Sequence, residues 1–226
     1  MRFDYRLFFF FVLSILELLG EALSSFQLIQ IVKPLLMPAL AFWWYGHKIS
    51  AGGQRFWVIY ALVFSTVGDI FLLYARVDAA FFLFGLGSFL IAHLFYIRTF
   101  FGIGSGLGYL REKPVWALPF FAFLGLLLAC LWGGIPIAMR GAVVVYGLII
   151  TTMALSALRL WNRVPTATFS FIMVGAVLFV LSDSLIAINK FGQVLPFSGV
   201  MIMATYILGQ FGIVRGLHRF SATKAA

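Results

Sequence analysis

The sequence predicts an all-α, polytopic membrane protein: a transmembrane bundle of eight spans with both termini in the cytoplasm. Three observations carry that reading. Hydrophobic residues fill 63% of the 226 positions and charged residues only 10%, where a soluble domain carries roughly 25% charge. The mean hydropathy is +1.08. The apolar residues also run in stretches long enough to cross a hydrocarbon core, which takes about 20 residues per helix. Strict alternation is absent, which excludes a β-barrel. The same figures exclude a soluble enzyme, a disordered chain and a disulfide-built secreted domain, so residues 1–226 are read as a single integral membrane domain.

The first segment, 7–26, follows Arg2 and Arg6, and Ala22-Leu23-Ser24 looks like a signal-peptide cleavage site. Glu17 and Glu21 interrupt the apolar run, however, so it reads as a retained helix. The second, 31–46, ends in Trp43-Trp44-Tyr45, which reads as an interfacial aromatic belt. Gly52-Gly53 separates it from the third, 56–74. The fourth, 79–98, leads into a Gly-rich loop over 99–113 marked by Gly102-Ile103-Gly104-Ser105-Gly106. The fifth, 114–133, holds the lone Cys130, read as a packed small hydrophobe. Gly133-Gly134 and Pro136 precede the sixth, 140–159; Pro165 precedes the seventh, 166–188; and Pro196 opens the eighth, 196–214. Four segments fall in each half of the chain, so an internal repeat would be parallel.

The 16 basic residues follow the topology. Arg2, Arg6, Lys48, Arg55, Arg98, Arg111, Lys113, Arg159, Arg163, Arg215, Arg219 and Lys224 fall on one side, and Lys33, Arg76, Arg140 and Lys190 on the other. Under the positive-inside rule the first side is cytoplasmic, and the bias suggests a bacterial inner membrane. No run of five basic residues exists, so nucleic acid is not an expected partner. Membrane lipids are, and a homo-oligomer stays open.

Of the 7 acids, Asp4, Asp78 and Glu112 lie in tails or loops and read as solvated charge. Glu17, Glu21, Asp69 and Asp183 lie inside apolar spans, where an unneutralised charge costs about 3 kcal/mol on insertion scales. Counting helical rise from the cytoplasmic entry points puts Glu21, Asp69, Asp183, Lys33, Asn189 and Lys190 toward the non-cytoplasmic side, with Glu17 near mid-bilayer. Glu17 and Glu21 are four apart and share a helix face. The pattern fits a polar cavity, although helix capping and plain ion pairing are competing readings for Asp69 and Asp183, and an interfacial anchor before Pro34 is the competing reading for Lys33. His93 and Tyr96 share a face of the fourth span, and Tyr146, Tyr206 and Gln210 place polar groups inside other spans; interhelical hydrogen bonding is the bland reading for each. The histidines, His47 and His218 included, form no ligand-spaced pair, so neither a metal nor a cofactor is expected. No nucleophile-elbow, phosphate-loop or zinc-protease motif occurs. The best candidate chemistry uses two carboxylates: one kept protonated as a proton donor, the other ionised beside a lysine.

These residues carry a resemblance. Lys33-Pro34-Leu35-Leu36-Met37-Pro38, Gly68-Asp69-Ile70-Phe71-Leu72-Leu73, the stretch from His93 to Tyr96, and Ser182-Asp183 followed by Asn189-Lys190-Phe191 resemble, in order and spacing, the lysoplasmalogenase family, the YhhN-like membrane proteins. The resemblance covers nearly the whole chain. It implies about eight spans and two essential aspartates, which here would be Asp69 and Asp183. It also implies cleavage of the vinyl-ether bond of a lysoplasmalogen-type lysophospholipid to a fatty aldehyde and a glycerophospho-base. Glu21, Lys33, His93, Tyr96, Tyr146, Asn189, Lys190 and Tyr206 would then bind substrate or support the pair. The competing reading is a proton-coupled lipid or small-molecule transporter, and a third is a lipid-binding protein without turnover.

Overall fold

The computed structural model describes residues 4–46, 54–75, 77–103 and 106–225. His47, Lys48, Gly52-Gly53, Arg76, Gly104 and Ser105 lie outside the described residues. Regular structure among the described residues is helical throughout: α1 Tyr5–Ala22, α2 Phe26–Tyr45, α3 Gln54–Leu73, α4 Ala79–Phe101, a short α5 Tyr109–Glu112, a 3₁₀ turn Pro114–Ala117, α6 Leu118–Leu131, α7 Ile137–Leu158, α8 Thr166–Phe191 and α9 Ser198–Ala225. Each apolar segment of the sequence has its helix. Among the described residues, seven spans are long and apolar enough to cross a membrane: α2, α3, α4, the 3₁₀ turn continued by α6, α7, α8 and α9. The remaining long helix, α1, has 18 residues and carries Arg6, Glu17 and Glu21.

The boundaries have local causes. Asp4 caps α1, its Oδ1 accepting from the Arg6 and Leu7 amides at 3.2 and 3.4 Å. The carboxylate thereby satisfies amides that a helix start leaves without partners. Ser24, with φ of +52°, reverses the chain after α1, and the Ser25 amide closes on the Gly20 carbonyl at 2.9 Å. The first helix therefore stops at Ala22 rather than running to Phe26. Pro136 and Pro165 stand at the N-caps of α7 and α8, where a missing N–H removes no helical bond. Pro34 and Pro38 lie inside α2, which continues through both. The predicted long loop is shorter than expected because α4 extends to Phe101 and α5 fills part of the remainder.

The chain forms two compact units, residues up to Tyr96 together with the stretch from Ser221, and Ile97–Phe220. In the first, α1 packs on α2 and α2 on α3. Gly68 of α3 lies under the ring of Phe89 of α4, where a Cβ would meet ring carbon at 2.6 Å. Trp43 and Trp44 are buried rather than belted at an interface, and only Tyr45 is exposed. Trp43 Nε1 donates to Asp4 Oδ2 at 2.8 Å and Trp44 Nε1 to the Arg55 carbonyl at 3.2 Å. Asp4 is thus a cap and an acceptor, not merely a solvated tail charge.

In the second unit α6, α7 and α8 are mutual neighbours. The α8–α9 crossing is made by glycines. A Cβ on Gly175 would stand 2.5 Å from the Ile213 amide nitrogen and 2.7 Å from the Gly209 carbonyl, and one on Gly212 would be 3.0 Å from Gly175 Cα. Backbones approach this closely only where side chains are absent, the usual device of helix pairs in lipid. Arg159, at the end of α7, donates to the Gly106 carbonyl at 2.8 Å and to Phe100, and lies over the Phe101 ring. Cys130 is exposed on α6, against the expectation of a packed position. Only 11% of the span that includes α6 is buried, so apolarity on that helix faces outward.

Candidate functional site

The first unit holds a charged centre. Glu17 and Glu21 stand one turn apart on α1, so their carboxylates project from one face. Lys33 of α2 meets both: its Nζ donates to Glu21 Oε1 at 3.0 Å and lies 3.4 Å from Glu17 Oε1. Glu17 is fully buried, and neither of its oxygens accepts a hydrogen bond among the described residues, so the ion pair is its compensation. Asp69, buried on α3, lies within electrostatic range of the Lys33 ammonium. Three carboxylates therefore share one cation. Ser65, also fully buried, precedes Asp69 by one helical turn and lies on the same side of α3. A cavity of about 210 Å³ opens beside the ion pair, lined by Glu21, Ser24, Phe26, Ile29, Lys33, Leu72 and Leu73. Lys33 is thus well inside α2 and paired, rather than an interfacial anchor.

The second unit holds a centre built on one carboxylate. Asp183 lies mid-helix on α8, and the phenol of Tyr146 on α7 donates to its Oδ2. Both residues are buried. Helix capping is thereby excluded for Asp183, as it is for Asp69, since each lies inside a continuous helix. A second cavity, about 60 Å³, runs between α6, α7 and α8 with Asp183 and Tyr146 in its wall. Ser182 Oγ donates to the Ile202 carbonyl of α9 at 3.0 Å and fixes α8 beside Asp183.

The other expected residues fall at varied places. His93 and Tyr96 are both fully buried on α4. Tyr206 on α9 is buried edge-to-face against Phe179 of α8. Asn189 and Lys190 occupy the last turn of α8, where Lys190 is exposed and the Asn189 Oδ1 is buried without a hydrogen-bond partner among the described residues. The structure therefore groups Glu17, Glu21, Lys33 and Asp69 around one centre and Tyr146 with Asp183 around another. Sequence reasoning missed the α6 wall of the second cavity, because Leu124, Leu127 and Leu128 look like any lipid-facing leucines.

Comparison with known proteins gives these positions a context. The chain matches the YhhN family over residues 28–217. Lys33, Asp69, His93, Tyr146 and Asp183 lie inside that stretch; Glu17 and Glu21 lie before it. Human lysoplasmalogenase TMEM86A is 36% identical over 160 residues, covering 68% of this chain and 61% of its own. Mouse lysoplasmalogenase TMEM86B is 31% identical over 183 residues, covering 80% and 71%. The lysoplasmalogenase of Mycobacterium tuberculosis is 32% identical over 141 residues, covering 62% and 52%. The chain thus spans 61% of the length of the human relative and 52% of the mycobacterial one. No solved structure matches it. With the match running from α2 into α9 and enclosing both buried aspartates, this chain belongs to the YhhN family.

Proposed function

We propose that this protein is a membrane-embedded ether hydrolase that cleaves the vinyl-ether bond of lysoplasmalogen-type lysophospholipids, releasing a fatty aldehyde and a glycerophospho-base. The observation that carries the reading is a buried carboxylate, Asp183, held by a phenol in the wall of an apolar cavity, in a chain whose relatives are named lysoplasmalogenases. On this reading the protein has eight spans, both termini in the cytoplasm, and resides in a bacterial inner membrane.

The chemistry needs a proton donor and a carboxylate. Protonation of the alkene carbon remote from oxygen gives an oxocarbenium ion. Water adds to its cationic carbon and loses a proton, which gives a hemiacetal. Collapse of the hemiacetal breaks the carbon–oxygen bond to glycerol, yields the aldehyde and returns a proton to the alcohol product. One water is consumed, and the protein regains its starting protonation. The paired carboxylates of glycosidases handle the same kind of cation. Asp69 and Asp183 are the residues proposed for these two roles. Tyr146 orients Asp183, and Lys33 with Glu21 holds charge near Asp69. His93, Tyr96, Asn189, Lys190 and Tyr206 support or bind.

The test is aldehyde release from a synthetic lysoplasmalogen by purified protein in lipid nanodiscs. Wild type is expected to turn over. Asp69→Asn and Asp183→Asn are expected to lose at least a hundredfold in rate with unchanged melting behaviour, the scale of removing a general acid or base. Full activity in both variants overturns the reading.

A further inference from the structure

The two cavities differ in chemistry. The one beside Lys33 presents charged groups, Glu21 and Lys33, together with Ser24. The one between α6, α7 and α8 has no basic side chain in its lining. Its walls are hydrocarbon: Leu124, Leu127 and Leu128 from α6, Val143 from α7, Val180 and Ala187 from α8. Its one charged residue, Asp183, already has a donor in Tyr146, and the hydroxyl of Ser184 is turned back onto the Val180 carbonyl at 2.7 Å. A phosphate entering here would meet a carboxylate and no cation. A lipid amine would leave its phosphate in hydrocarbon, a severe desolvation penalty. A methylene chain leaves the bonds of Tyr146, Asp183 and Ser184 in place, and Thr151 is the other hydroxyl in the lining. The outer wall, α6, belongs to the least buried of the candidate membrane spans, so this cavity lies behind a helix whose other face is apolar and exposed.

We propose that this cavity, about 60 Å³ in volume, seats a short stretch of the hydrocarbon chain of a single-chain membrane lipid, and that Gly147 and Leu124 set the chain it accepts. The identity of the lipid rests on the hydrolase reading above. Gly147 lines the cavity where a Cβ would lie 2.6 Å from Leu124 Cδ1. Leu124 can yield, because the clash is with the end of a flexible side chain. Any side chain at Gly147 therefore takes space from the cavity or drives Leu124 into it. A chain seated here passes Asp183, so its fit decides which carbon lies beside the carboxylate.

The experiment has two arms on the full-length protein in nanodiscs. In the first, a saturated-ether lysolipid with a diazirine in its chain, which the reaction cannot cleave, is photolysed and the adducts are mapped. The expected adducts lie on Leu124, Leu128, Val143 and Val180, and Gly147→Leu cuts them at least fivefold. Adducts spread evenly over exposed α6 residues such as Leu126 and Phe121, unaffected by Gly147→Leu, overturn the proposal. In the second arm, vinyl-ether lysolipids of eight to eighteen carbons are compared. Gly147→Ala and Gly147→Leu are expected to shift preference toward shorter chains about tenfold, the scale of one or two methylenes in a fitted pocket. Leu124→Ala shifts it toward bulkier chains, and Gly125→Leu, at an open position on α6, leaves it unchanged. An equal loss for every chain length overturns the proposal while leaving the hydrolase reading standing. Absence of aldehyde from wild type sinks the hydrolase reading, and the adduct map still decides whether the cavity holds a chain.

Discussion

Tyr146 of α7 donates its phenolic proton to Oδ2 of Asp183 on α8, joining two buried residues thirty-seven positions apart. The bond gives a carboxylate in an apolar wall the partner it needs. Removing the phenol leaves that acceptor buried without its donor, a loss of about 1–3 kcal/mol. Tyr146→Phe is expected to lower the melting temperature and to reduce kcat for aldehyde release about tenfold or more, with KM little changed. An altered pH–rate profile in the same variant would show that the phenol acts through Asp183 rather than through packing alone.

Lys33 holds two carboxylates, one of them fully buried. Breaking a buried pair by removing one partner costs about 3–5 kcal/mol, more than the pair itself contributes. Lys33→Met is expected to be severely destabilising. The triple variant with Glu17→Gln and Glu21→Gln is expected to recover much of that loss, because Asp69 is then the one carboxylate left of the three around Lys33. Thermal melts of the single, double and triple variants in one detergent measure the coupling.

The α8–α9 crossing depends on the absence of a Cβ at Gly175. Gly175→Ala must separate two backbones rather than turn a side chain, since its Cβ would meet the Ile213 amide nitrogen at 2.5 Å. Overpacking of this kind costs about 1–3 kcal/mol. Gly125→Ala and Gly141→Ala, with open space around them, are expected to leave the melting temperature unchanged or raise it slightly.

Asp4 links the start of α1 to the end of α2 through the α1 cap and the Trp43 indole. Asp4→Ala is expected to cost about 1–2 kcal/mol, the scale of a lost cap together with a side-chain bond. A blue-shift or intensity change in tryptophan fluorescence would report the released indole.

Composition and punctuation made the helical membrane architecture legible, because lipid admits few backbone solutions and apolar runs of this length have one meaning. The same logic marked the charged residues worth following, since an acid in a span needs a reason. It also placed Glu17 and Glu21 on one face. Sequence did less well where meaning depends on what lies opposite. Trp43 and Trp44 look like interfacial aromatics until Asp4 and the Arg55 carbonyl are found as their acceptors. Cys130 sits in an apolar run that turns out to face outward.

By itself the sequence determined that the chain lives in a membrane as helices, and that Asp69, Asp183, Lys33, Glu17 and Glu21 are its expensive residues. Only the tertiary structure decided how each is compensated: Lys33 lies between two glutamates, and Asp183 answers to Tyr146. Only it revealed that leucines of α6 wall the cavity beside Asp183. The physical reason is the range of the interactions. Hydropathy and helical period act along the chain and can be read from it. A hydrogen bond from Tyr146 to Asp183, or a glycine against a neighbouring backbone, exists only once distant segments have been brought together.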